Sequence, residues 1–318
     1  MILHRVPQAL GIVVAMLVAS SAAAGERPTF VGPAMGTTYR VTLAAPIPGL
    51  SAGEVHREIE AVLARIDRAA STWRDDSDAS LFNRAAAGAW LDVADDLVAI
   101  VEIARDVHRE SQGAFDVTAA PRVARAGATA ASEDRAAVGL PPAGMECIET
   151  RSPAGGRPAA IRKTRDGVTI DFGGIGPGYG VDRIGTRLVA LGSSAHLVEL
   201  GGEVRGWGRP PRGAAWQVRL RGAAGDPEAE RVVDLADGAA IAASTLRPGR
   251  SPIDPRTGRP VAGASRTVLM RADSCSRADA WAVAAVVLGL TADADGVVTA
   301  PPAPSTPVAP PAATPGSP

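Results

Sequence analysis

Two hydrophobic periods alternate along this chain and divide it into elements. Within Phe30–Leu43, the stretch MGTTYRVTL sets Tyr39, Val41 and Leu43 between polar neighbours, the period of a strand. SAGEVHREIEAVLARIDRAAS then places Val55, Ile59, Val62, Leu63 and Ile66 on one helical face, and Ser51 with Glu54 has the spacing of a capping box. STWRDDSDASLFN (71–83) reads as a polar loop. A second amphipathic helix is predicted from Asp95 to Glu110, stopping near Gly113. Residues 124–160 are rich in Ala, Gly and Pro, with little periodicity, and read as an irregular connection.

The second half has shorter periods. GVTIDF (167–172) reads as a buried strand running into the glycine-rich DFGGIGPGYGVDRIG (171–185). Val181, Ile184, Leu188 and Leu191 predict a helix stopped by Gly192. HLVELGGEVRGWG predicts two short strands about Gly201-Gly202, and WQVRL, ERVVDL, IAAST and RTVLMRA (266–272) predict more. The last element is a helix over Ser276–Leu288. Neither a repeat nor a βαβ alternation occurs. The expected class is α+β, with helices packed on a largely antiparallel sheet.

The ends change the picture. His4 and Arg5 precede an apolar run from Ala9 to Ala19, and Ala22-Ala23-Ala24 follows as a small-residue cleavage site. Residues 1–24 read as a signal peptide whose apolar run is too short to span a membrane. No Cys lies nearby to take a lipid. The expectation is an exported protein, periplasmic or in the cell envelope, with membrane association only through a partner. Residues 299–318 read as a Pro/Ala-rich disordered tail, which leaves a folded body over 28–298.

At 318 residues and 46% apolar content the chain can bury a real core, and its net charge of −1 gives no basic surface for nucleic acid. Lys163 is its only lysine. Cys147 and Cys275 are its only cysteines; export would permit a disulfide between them, but their spacing says nothing of proximity, and two buried or free thiols are the plainer reading.

Three segments invite chemistry. The glycines at 173–180 serve either a tight turn or a close backbone approach to an anion at a helix start. Neither dinucleotide fingerprint fits, because Val181 stands where GxGxxG needs its last Gly and no GxxxxGK[ST] occurs. IDPRTGRP (253–260) is turn chemistry. Asp279 follows Ser276 by three residues, the spacing of a helix cap, yet a carboxylate at a helix start also suits a hard cation. The sequence holds no HExxH, CxxC or GxSxG, so zinc hydrolysis, thiol exchange and α/β-hydrolase chemistry lack support.

Read in order, MGTTY (35–39), STWRDDSDASLFN, GAFDVTAAPRV (113–123), DFGGIGPGYGVDR (171–183), LVELGGEVRGWG (197–208), IDPRTGRPV (253–261) and RADAWAVAAVVLG (277–289) resemble the successive blocks of the FAD:protein FMN transferases, the ApbE-type flavin transferases. The resemblance implies a T-fold-like α+β protein with FAD as substrate and Mg²⁺ as cofactor. It also implies transfer of FMN to a Thr or Ser hydroxyl of an exported acceptor protein, with release of AMP. By position it places Met35 and Trp73 at the flavin, and Ala114, Phe115 and Asp116 on the adenosine side. Asp171, Gly173 and Gly174 fall in the diphosphate loop, and Ile253 at the nucleotide. The metal falls to the Gly176 carbonyl and the Asp279 carboxylate, and the candidate catalytic positions are Asp254 and Ser251.

Three positions depart from the family pattern. Pro177 stands where the loop has Lys, Ser251 where the turn is preceded by His, and Val283 where the closing helix has Thr. Val283 offers no oxygen to Mg²⁺, and Ser251 is no general base near neutral pH without activation. The departures leave two further readings, a binding protein that holds FAD without transferring it and a pyrophosphatase that yields FMN and AMP.

Overall fold

The computed structural model describes residues 27–119, 144–210, 215–220, 231–246, 252–292 and 296–304. The expected leader, most of the expected irregular connection, Ser251 and the end of the tail lie outside the described residues. The core is a seven-stranded sheet. Its strands, in spatial order, are β1 (Thr29–Ala34), β2 (Thr37–Leu43), β6 (His196–Leu200), β7 (Glu203–Trp207), β10 (Ala240–Leu246), β13 (Arg266–Ala272) and β14 (Val298–Thr299). Every neighbouring pair is antiparallel except β13–β14. The α+β class with a largely antiparallel sheet is thus as expected.

The alternation of Tyr39, Val41 and Leu43 buries those side chains on the sheet's inner face. Met35 and Gly36 close the β1–β2 hairpin with φ of 49° and 74°, the paired left-handed geometry of a two-residue hairpin turn. Glycine adopts this freely, whereas a Met there is uncommon.

Five helices cover the sheet among the described residues: α1 (Ala52–Ala70), α2 (Asp78–Arg84), α3 (Asp95–Glu110), α4 (Gly176–Ala190) and α5 (Cys275–Leu288). α1 starts at Ser51 with both halves of the expected capping box formed. α5 lies deepest, packed on β10 and β13 beneath α4 and α3. Unlike α1 and α3 it has no exposed polar face in its first two turns, where Cys275 through Ala282 are all buried, as a helix enclosed on all sides requires. Smaller sheets join β3 (Leu91–Asp92), β5 (Ala160–Lys163) and β4 (Ile148–Arg151); β8 (Trp216–Leu220) and β9 (Arg231–Leu235); and β11 (Ile253–Asp254) and β12 (Arg259–Pro260).

The structure differs from the sequence reading in several places. The Ser/Asp stretch contains a helix, α2, capped by Ser77. The connection expected to be irregular carries β4 and the start of β5. Residues 168–172 pair with no strand. Val168, Ile170 and Phe172 are buried in alternation, but side chains satisfy much of their backbone. α4 begins five residues before Val181, at Gly176, because Pro177 fits the first helical turn, where no intrahelical N–H is needed. The body also runs past 298: Thr299 pairs with Arg271, Ala300 donates to the Arg271 carbonyl at 2.8 Å, and Arg277 reaches the Pro301 carbonyl at 2.9 Å. Cys147 and Cys275 are buried free thiols, so no disulfide joins them.

Candidate active site

The glycine-rich segment divides into two parts. A Cβ on Gly178 would fall 2.4 Å from the Cys275 carbonyl oxygen and 2.9 Å from the Asp279 Cβ, so α4 and α5 meet backbone to backbone there. A Cβ on Gly176 would meet nothing nearer than Phe172 Cβ at 3.8 Å. Packing therefore explains Gly178 and leaves Gly176 free.

The close approach delivers Asp279. Its Oδ2 accepts the Gly178 N–H at 3.1 Å, so the carboxylate lies against the first turn of α4. Burial raises its pKa well above the usual carboxylate range, against the lowering effect of the Gly178 N–H. Capping of α5 falls to another residue. Asp182, one turn along α4, accepts the N–H groups of Cys275 and Ser276 at 2.9 Å each and the Ser276 hydroxyl at 2.8 Å. The N–H groups left open at a helix start are thus satisfied from a neighbouring helix, and Asp279 is released from the capping role that its spacing suggested. Arg205 holds the same Asp182 at 2.6 Å.

Beside this junction several of the predicted site residues share one surface. Met35, Thr72, Trp73, Asp171, Gly173, Gly176 and Pro177 line an open cleft of about 150 Å³. Trp73 is 94% exposed, leaving its ring face free for stacking. Asp171 accepts the Thr72 hydroxyl at 3.1 Å and the Gly173 N–H at 2.9 Å. Behind the cleft, Gly174 packs against Val283 and Phe115. Ala114 and Phe115 are buried.

Asp116 holds Thr118 through its backbone N–H at 2.7 Å and its hydroxyl at 2.6 Å, and burial raises its pKa. The IDP turn adjoins this segment, since the Arg256 stem lies 3.4 Å from the position of a Gly113 Cβ. Asp254 is gripped by the Arg256 side chain at 2.8 and 2.9 Å, which holds its carboxyl below the usual range. Ile253 is buried beside it. Ser251 lies outside the described residues.

Sequence reasoning missed Asp182, Thr72 and Glu203. Glu203, on β7, is buried, and desolvation together with Asp279 pushes its carboxyl up. None of the three has a local spacing signal, because each acts across elements. Among the described residues no group of three or more His, Cys, Asp or Glu side chains is gathered to hold a metal. What fits a hard cation is one buried carboxylate with a single N–H partner, two residues along α4 from Gly176, where a side chain's first carbon would find room. Val283, on the next turn of α5, adds no oxygen.

The α+β scaffold carries a glycine-lined, aromatic-rimmed cleft at the start of α4, and comparison with known proteins gives its class. Residues 35–300 match the model of the ApbE family. The FAD:protein FMN transferase of Haemophilus influenzae is 27% identical over 305 residues, covering 87% of this chain and 86% of that one. That of Treponema pallidum is 30% identical over 284 residues, covering 80% and 77%. The apo flavinyl transferase ApbE of Pseudomonas stutzeri superposes with a TM-score of 0.68 at 30% identity, over 83% of this chain and 84% of that one. The chain belongs to the ApbE family.

Proposed function

We propose that this protein is an FAD:protein FMN transferase that moves FMN from FAD to a Thr or Ser hydroxyl of an exported partner and releases AMP. The observation that carries this reading is the meeting of the Asp279 carboxylate with the first turn of α4, whose Gly176 and Pro177 line a cleft together with Asp171, Gly173 and Trp73. In the reaction the acceptor oxygen attacks the FMN phosphorus. A new phosphoester P–O bond forms at that phosphorus, its bond to the bridging oxygen breaks, AMP leaves with that oxygen, and the hydroxyl proton passes to solvent.

The chain's own groups supply binding and orientation. Trp73 offers a stacking face to the flavin. The positive end of the α4 dipole faces the diphosphate, and Gly176 leaves room for it against bare backbone. Mg²⁺ held by Asp279 and the Gly176 carbonyl would neutralise diphosphate charge and polarise the phosphorus that is attacked. Pro177 supplies neither cation nor N–H, and Val283 supplies no ligand, so this site rests on fewer groups than the family pattern gives. The leader at 1–24 supports placing the reaction outside the cytoplasm.

Incubation of the purified protein with FAD, Mg²⁺ and a partner carrying an acceptor Thr tests the reading. A mass gain of one FMN on the partner, with AMP released, is expected. Free FMN formed without any partner would instead make the chain a pyrophosphatase. Bound FAD with no product would make it a binding protein, the reading that Val283 and Ser251 leave open.

A further inference from the structure

The segment that carries Asp171 into the cleft has no strand neighbour, and its alignment must come from elsewhere. The Asp171 N–H donates to the Val117 carbonyl at 2.9 Å, and two side chains hold the residues before it. Asn83, in the last turn of α2, accepts the Ile170 N–H on Oδ1 at 2.7 Å and donates from Nδ2 to the Ile170 carbonyl at 3.0 Å. One carboxamide thereby reproduces the paired bonds of a strand neighbour. Lys163, at the end of β5, donates from Nζ to the Val168 carbonyl at 2.7 Å and to the Asn83 carbonyl at 3.2 Å.

Lys163 is only 1% exposed and lies 4.8 Å from the centroid of the Phe82 ring. Its hydrogen bonds go to backbone carbonyls rather than to a carboxylate. Burying an ammonium this way is costly, and burial lowers its pKa. All the other cationic side chains of the Lys/Arg class in this chain are Arg, yet at 163 a Lys is kept. A compact tetrahedral head can reach two carbonyls set close together, whereas a planar guanidinium needs more room and a flatter set of acceptors.

We infer that Asn83 and Lys163 are positioning residues for the diphosphate loop. They hold Val168–Ile170 so that Asp171, with Thr72 on its far oxygen, and Gly173–Gly176 are already in place when the nucleotide arrives. The inference rests on the functional reading above and extends it, because it assigns FAD affinity to residues that do not touch FAD. Neither residue lines the cleft. Both act through the Val168–Ile170 backbone, which continues directly into Asp171.

FAD binding, followed by flavin fluorescence quenching, tests it on four full-length proteins: wild type, Asn83→Asp, Lys163→Met and Val218→Ala. Asn83→Asp keeps the shape but turns the donor into a second acceptor facing the Ile170 carbonyl. Lys163→Met removes the ammonium and leaves the Val168 carbonyl without it, and it is expected to fold even if Asn83→Asp does not, because it also removes a buried charge. Val218 is fully buried in the separate cluster around Trp216, so its truncation lowers the melting temperature without touching the loop.

The expected result is at least a tenfold rise in the FAD dissociation constant for each loop variant that folds, with KM for FAD rising alongside and kcat at saturation within threefold of wild type. Val218→Ala, at a comparable loss of melting temperature, is expected to keep the wild-type constant. Loop variants that bind FAD as wild type does, or a Val218→Ala protein weakened equally, would overturn the inference and leave the functional reading intact. A wild-type chain that ignores FAD would overturn both.

Discussion

Replacing Gly178 by Ala probes the junction on which the site is built. The added methyl would lie 2.4 Å from the Cys275 carbonyl oxygen and 2.7 Å from its carbon. Ordinary contact begins about 1 Å further out. Both atoms belong to backbone, so no side chain can swing aside, and α4 and α5 must separate. Overpacking of this kind costs about 1–3 kcal/mol, and the rigid partners place Gly178→Ala near the top, at about 3 kcal/mol. For a body of this size that is a fall in melting temperature of roughly 6–12 °C. The same displacement moves the Asp279 carboxylate off the Gly178 N–H, so FAD and Mg²⁺ binding should weaken as well.

Gly176→Ala, two residues earlier, is the control. Its methyl meets only Phe172 Cβ at 3.8 Å, and Ala is the better helix former by up to about 1 kcal/mol. Its melting temperature should hold or rise, measured by calorimetry, while FAD affinity falls because the methyl occupies the surface the diphosphate needs. A Gly178→Ala protein as stable as wild type, or a Gly176→Ala protein equally destabilised, would refute the division of these glycines into packing and binding positions.

Other outcomes follow from the same contacts. Asp182→Asn should cost about 2–4 kcal/mol in chemical denaturation, since it weakens the cap on α5 and leaves Arg205 without its carboxylate; a loss under about 0.5 kcal/mol, the level of an ordinary surface change, would refute the tertiary cap. Val283→Thr restores an oxygen one turn beyond Asp279, so Mg²⁺ should raise the melting temperature of the FAD-loaded variant more than that of wild type, and an equal rise would place the metal elsewhere. Burial pushes the His196 imidazole down to about 4. The unfolded chain therefore takes up the proton first, and stability present above about pH 6.5 should be lost as pH falls toward 4, by about 3 kcal/mol in all. Burial raises the Glu199 and Asp279 carboxyls to about 7 and these act in the opposite direction, so the His196 share is read as a difference: His196→Phe should gain stability relative to wild type as pH falls from 6.5 toward 4, and a difference that does not change with pH would refute it.

What the sequence revealed followed the range of the forces involved. α1 and its capping box, α3, the β6–β7 hairpin and β13 are written in local periodicity, so they were legible residue by residue. The segment 168–172 was misread because it has a strand's alternation but borrows its hydrogen bonds from Asn83 and Lys163, which lie far off in the chain. α2 was hidden because Ser77 caps a helix too short to show a period. At the site, the run of glycines marked the place but not the division of labour. Gly178 answers to the Cys275 carbonyl roughly a hundred residues away, and Asp182 caps a helix in which it does not reside. Asp279 illustrates the limit most sharply: its spacing from Ser276 is that of a cap, and only the carboxylate acceptor that Asp182 brings from α4 frees it for another task.

That freed carboxylate is expected to help hold a nucleotide diphosphate. Calorimetric titration of FAD into wild type and Asp279→Asn, each with and without Mg²⁺, tests this most directly. Mg²⁺ should tighten FAD binding to wild type at least tenfold and leave Asp279→Asn almost unaffected. Equal Mg²⁺ dependence in the two proteins, or no heat of FAD binding to wild type, would contradict it.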